Sequence, residues 1–150
     1  MTETALHWGL PDPDRQAEFY ADVPLKRLLA WVVDTVLILL ISALVILFTA
    51  FAALFVLPFL YLAIGFAYRT VTLARASATP GMRLLAIEFR THRGERFDWF
   101  HAAAHTLGYT VSAAFVLPQV ISIILMLTGP RAQGLTDHIL GTAAINRPRD

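Results

Sequence analysis

Residues 28–68 read LLAWVVDTVLILLISALVILFTAFAALFVLPFLYLAIGFAY, and this stretch carries one formal charge, Asp34. An α-helix rises about 1.5 Å per residue, so roughly 20 apolar residues cross the hydrocarbon core of a bilayer. The stretch is 41 residues long, enough for two crossings. Lys26 and Arg27 stand at its amino end and Arg69 at its carboxyl end. An ionised Asp inside a bilayer is costly, so Asp34 needs a partner or a polar cavity.

The rest of the composition agrees with a membrane protein. Of 150 residues, 57% are hydrophobic and 15% charged, against about 25% charged in soluble domains. The deficit is local. All 12 Lys and Arg fall at 15–27, 69–96 and 131–149, with long apolar blocks between them. A net charge of +1 gives no reason to expect a nucleic-acid partner. The chain has no Cys, which excludes disulfides, thiol catalysis and thiolate metal sites.

Residues 1–23 are polar, and Pro11 and Pro13 break any regular element. They lack the basic start and apolar core of a signal peptide, so a mobile tail is expected. Residues 24–147 then form one membrane domain, with segments at about 28–48, 51–69 and 100–128. A short uncharged turn joins the first two, and Pro58 is expected to kink the second.

The polar connector carries Arg69, Arg75, Arg83, Arg90, Arg93 and Arg96. Thr79-Pro80-Gly81 signals a turn. Leu85, Ile87 and Phe89 then alternate with Ala86, Glu88 and Arg90, the period of a half-buried strand. His92 to Glu95 can turn the chain so that Arg96-Phe97-Asp98 returns as a small β-hairpin, and Asp98 suits the N-cap of the next helix.

The third apolar block, Trp99 to Thr128, is 30 residues long. As straight helix it would reach about 45 Å, past a core of about 30 Å. Pro118-Gln119 supplies a break. Either one tilted, kinked helix crosses, or two shorter segments dip in and return. A short strand is expected at Ala143 to Ile145. The fold class is thus an all-α membrane protein, a two-helix transmembrane hairpin plus a third Pro-broken segment, with a small cytoplasmic β-hairpin in the connector.

Basic residues in short loops mark the cytoplasmic side, so the connector and N-terminus are expected there. A third full crossing would put Arg131, Arg147 and Arg149 outside, whereas a re-entrant block would keep them inside. A bacterial inner membrane is the expected location.

Three stretches together resemble the RDD family of small bacterial membrane proteins, named for one Arg and two Asp. Lys26-Arg27-Leu28-Leu29-Ala30 leading to Asp34 resembles its first-helix signature. Ala78-Thr79-Pro80-Gly81-Met82-Arg83-Leu84-Leu85 resembles its connector motif, with Met82 where Lys is usual. Gln133-Gly134-Leu135-Thr136-Asp137 with Leu140-Gly141-Thr142 resembles its closing motif, with Thr136 where His is usual and His138 following the Asp. The resemblance implies that Arg27, Asp34 and Asp137 are the signature residues, and that transport, with ions among the candidate solutes, is the activity to consider.

Asp34 has two readings. One is an ion pair that fixes helix packing, with Arg69 or Arg131 as partner. The other is a proton- or cation-binding carboxylate. Arg27 shares its helix face two turns away and reads equally as an interface anchor. By its residues alone Asp137 reads as a solvated or turn-capping loop Asp; the resemblance implies that it approaches the membrane mouth near Arg27 or Arg83. Gln119 either caps backbone freed by Pro118 or binds a solute. His101 and His105 share a face, but with no Glu or Cys beside them zinc binding is not expected. No phosphate loop, nucleophile elbow or carboxylate pair is present, so neither an enzyme nor a cofactor is expected. Three segments are few for a path within one protomer. The expected partners are therefore lipid and a homo-oligomer or other membrane proteins. The two functions in view are exchange of ions or small solutes at Asp34, and a non-transporting scaffold or accessory subunit.

Overall fold

The computed structural model describes residues 9–148. Helix α1 runs Val23–Phe48, with Pro24 in its first turn, where a missing N–H is no loss. It therefore begins five residues before the expected boundary, and Lys26 and Arg27 are helical. At its end the Thr49 hydroxyl donates to the Val45 carbonyl, and Ala50 and Phe51 reverse the chain in left-handed conformations.

The buried positions Ala30, Asp34, Ile38 and Ser42 recur every four residues, as one stripe of α1. Leu29, Val32, Val36, Leu40 and Leu44 are exposed. The outward face is more apolar than the buried stripe, the reverse of a water-soluble helix and the pattern that lipid-facing helices need.

A 3₁₀ turn, Ala52–Val56, leads into α2, Leu57–Ala76. Pro58 does not kink a helix interior. It lies in the first turn of α2, where the proline ring is pre-organised for helix. The helix also continues past Arg69 to Ala76, and ends at Ser77 with φ 56°. Both α1 and the run Ala52–Ala76 are long and apolar enough to cross a membrane.

The connector is shorter and better ordered than a polar loop. Thr79 caps α3, Pro80–Leu84, by accepting from the Met82 N–H. Strand β1, Ile87–Arg90, follows. The expected local hairpin does not form. β1 pairs antiparallel with β2, Ala143–Asn146, with Phe89 opposite Ala144. Residues 96–98 are diverted because the Phe97 N–H donates to the Ser77 hydroxyl and its ring stacks on Phe89 at 5.1 Å. Asp98 meanwhile caps the next helix, accepting from the His101 N–H at 2.8 Å. Nor is β1 half-exposed: Glu88 is buried and ion-paired with Arg90 and Arg147.

Helices α4, Trp99–Ala114, and α5, Val116–Thr128, meet at a bend of 117°. The break falls at Phe115, in extended conformation, three residues before the proline. Pro118 thus occupies the first turn of α5, where it costs no hydrogen bond. After α5 the chain returns to the connector: Ala132 meets Arg27, and β2 meets β1. The α4–α5 pair therefore starts and ends beside the connector and its sheet.

Residues 9–22 are not a loose tail. Leu10 and Tyr20 pack against Ala143 and Ile145 of β2, and the Tyr20 hydroxyl donates to the Pro11 carbonyl. Residues 1–8 and Arg149 lie outside the described residues. The main core gathers Val23, Ile87, Phe89, Phe97 and Ala102 beneath the amino end of α1.

Candidate functional site

Asp34 faces the connector. Its Oδ1 accepts from the Tyr68 hydroxyl at 2.8 Å and from the Gly81 N–H at 2.9 Å, and its Oδ2 accepts from the Thr79 hydroxyl. Thr79 and Gly81 belong to the first turn of α3, so Asp34 holds that helix start against α1. Gly81 allows the approach: a Cβ there would collide with the Ala30 carbonyl and the Asp34 carboxyl. Neither Arg69 nor Arg131 pairs with Asp34. Its donors are all uncharged, which is how a carboxylate 1% exposed keeps its lone pairs filled.

Asp137 is held differently. It lies in the first turn of α6, Leu135–Leu140, where Oδ2 accepts from the Gly134 N–H at 3.0 Å. The same oxygen pairs with Arg27 Nη1 at 2.6 Å. Its Oδ1 accepts from His105 Nε2 at 2.9 Å and from the Thr142 hydroxyl at 2.8 Å. Burial pushes the Asp137 carboxyl up, but the Arg27 guanidinium and the His105 ring outweigh it and hold it well below the usual carboxylate range. Arg27 also donates to the Ala132 carbonyl and lies 5.1 Å over the Phe89 ring, so it works inward and does not snorkel.

A cavity of about 680 Å³ lies between these two carboxylates, walled by α1, α2, α4 and α5. Arg27, Asp34, Arg69, His105, Gln119 and Asp137 all reach it. Arg69 stacks on the Tyr109 ring at 4.6 Å, and the Tyr109 hydroxyl accepts from Trp31 Nε1 at 2.6 Å. Gln119 accepts from the Ser112 hydroxyl at 3.1 Å, tying α5 back to α4 across the bend.

Two of the seven residues singled out from the sequence lie away from this cavity. Arg83 is exposed. Arg131 lies beside Tyr20, whose hydroxyl burial pushes up to about 12 against the pull of that guanidinium. His101 and His105 part company despite their spacing: His101 pairs with Asp98, His105 with Asp137. Among the described residues no cluster of three or more metal-ligating side chains forms.

Sequence reasoning missed Tyr68, Thr79, His105 and Thr142 as partners of the two Asp residues. Thr79 was visible only as part of a turn. His105 was visible only as half of a pair, whereas His138, next to Asp137 in the chain, is exposed.

No curated protein and no solved structure matches the chain significantly. A model of the RDD family matches residues 22–141, a span that contains Arg27, the α3 start and both Asp residues. The chain belongs to the RDD family.

Proposed function

We propose that this is a multi-pass protein of the bacterial inner membrane that takes a small solute into the cavity between α1 and α5. In this reading Arg27, Asp34 and Asp137 hold the cavity's frame. N-terminus, connector and C-terminus are all cytoplasmic, and α4–α5 is a re-entrant pair, which keeps every basic cluster on one side. The carrying observation is the cavity itself: its volume of about 680 Å³ suits a small molecule, and polar groups converge inside apolar walls. Passage across the membrane would need further protomers or other membrane proteins, and the role is non-catalytic.

A second reading, ion exchange at Asp34, is favoured by that residue's place on the cavity wall. Against it, Tyr68, Thr79 and Gly81 already occupy both oxygens. A cation would have to undock α3 to reach them.

Reconstitution into vesicles with proton- and sodium-sensitive dyes separates the two. Asp34→Asn should leave any cation flux at the native level while lowering the melting temperature. If native vesicles carry cation flux and the variant carries none at unchanged stability, exchange at Asp34 replaces the proposed reading.

A further inference from the structure

We propose that the cavity takes an anionic amphiphile from the bilayer, with Arg69 binding its head group. This rests on reading the cavity as a solute site and adds its chemistry.

The first observation is where the cavity opens. Leu25, Leu28 and Trp31 of α1 and Ile123 and Leu127 of α5 line it. These same residues are among the exposed large apolar side chains, from 43% at Trp31 to 68% at Leu127. The mouth is therefore continuous with the lipid-facing surface, and an occupant arrives through hydrocarbon. A bare inorganic ion crosses that route at high cost. A molecule with a chain does not, because its chain stays against apolar wall.

The second observation is what waits inside. Asp34 and Asp137 face the cavity with their oxygens engaged. Arg27 is spent on Asp137 and Ala132. Among the described residues no carboxylate lies within ion-pair distance of Arg69. Its guanidinium rests on the Tyr109 face, which leaves its N–H edge for a ligand. One helical turn before Tyr109 on α4, Thr106 lines the same cavity at 1% exposure, and its hydroxyl has no hydrogen-bond partner. A helical threonine can donate to the carbonyl four residues back, as Thr110 does to Thr106. Thr106 departs from that pattern, as do Thr35 of α1 and Thr70 of α2; of the three, Thr106 lines the cavity. A buried hydroxyl without a partner is costly, and an anionic head group fitted between Thr106 and Arg69 removes that cost.

Tryptophan quenching tests this on the full chain. Trp8→Phe and Trp99→Phe leave Trp31, on the cavity wall, as the sole tryptophan. The protein is reconstituted in phosphatidylcholine vesicles, and either dibrominated phosphatidylglycerol or dibrominated phosphatidylcholine is titrated in. The anionic lipid should quench Trp31 with roughly tenfold higher apparent affinity, the scale of one charge-assisted contact. Arg69→Gln should erase the preference and Arg69→Lys keep part of it. Thr106→Val, isosteric and free of the unpartnered hydroxyl, should weaken it roughly threefold, as expected for one neutral hydrogen bond. This variant carries the test if Arg69→Gln does not fold.

Equal quenching by the two lipids overturns the anionic preference and leaves the solute cavity standing. Trp31 quenched by neither lipid overturns both. If millimolar inorganic phosphate abolishes the preference, the site takes a free anion and the amphiphile is wrong.

Discussion

Asp34 and Asp137 are both buried, yet they are held by opposite means. Asp34 accepts only from uncharged donors, one of them a backbone N–H. Asp137 meets a guanidinium, an imidazole, a hydroxyl and a backbone N–H. Asp34 joins α1 to α2 and to the start of α3, over 34 to 47 residues of chain. Asp137 joins the two ends of the domain, because Arg27 opens α1 and Asp137 lies in α6. At these two carboxylates the shorter-range closure is thus done by neutral hydrogen bonds and the longer-range closure by charge. Charge suits the second task because its attraction is stronger than a neutral hydrogen bond in a low-dielectric setting.

The largest effect should come from breaking the charged closure. Arg27→Leu strands a buried carboxylate and should cost about 3–5 kcal/mol, read as a fall in melting temperature in detergent. A cost below about 1 kcal/mol would mean the pair is not buried in solution.

Acid should act on the same closure, with a smaller effect because protonation leaves the hydrogen-bonding groups in place. The folded Asp137 carboxyl titrates below its ordinary value. Its contribution is therefore complete above the unfolded value, about 4, and is lost as pH falls below that. Melting temperatures should drop below about pH 4 in the native chain, and less steeply in Asp137→Asn.

Gly81→Ala tests the uncharged closure. The added methyl meets the Ala30 carbonyl, and overpacking of this kind costs about 1–3 kcal/mol. Trypsin cleavage after the neighbouring Arg83 should accelerate as α3 loosens from α1.

The smallest effect should be at the α4–α5 bend. Ser112→Ala removes a hydroxyl donated to Gln119 and should cost under about 1.5 kcal/mol. It should leave both closures untouched.

The contrast also explains what could be read from the chain. The α1–α2 hairpin was legible because hydropathy is a local property that survives any tertiary arrangement. Its limits were less so. Lys26 and Arg27 look like the edge of a membrane helix, yet α1 extends through them because Arg27 has a partner in α6. The strand at 87–90 was legible from its alternation, but its partner was not. A nearby turn suggested Arg96 to Asp98, while the true partner is β2, more than 50 residues on. The same holds for the site. The family signature pointed to Arg27, Asp34 and Asp137. The groups that satisfy Asp34 come from 34 to 47 residues away, and no local period encodes such contacts. The bend at Phe115 was anticipated at the proline. Pro118 dictates where α5 can begin, and the break itself falls just ahead of it.

The most direct test of this division of labour is a paired measurement of Asp34→Asn and Asp137→Asn by thermal unfolding in the same detergent. Asparagine can still accept at the Asp34 position, and the rotatable Tyr68 and Thr79 hydroxyls can re-pair. At the Asp137 position it leaves Arg27 without a counter-charge. The expected result is a clearly larger loss of melting temperature for Asp137→Asn. An equal loss, or a larger one for Asp34→Asn, would contradict the assignment of charge to the Arg27–Asp137 closure and neutral hydrogen bonding to the Asp34 one.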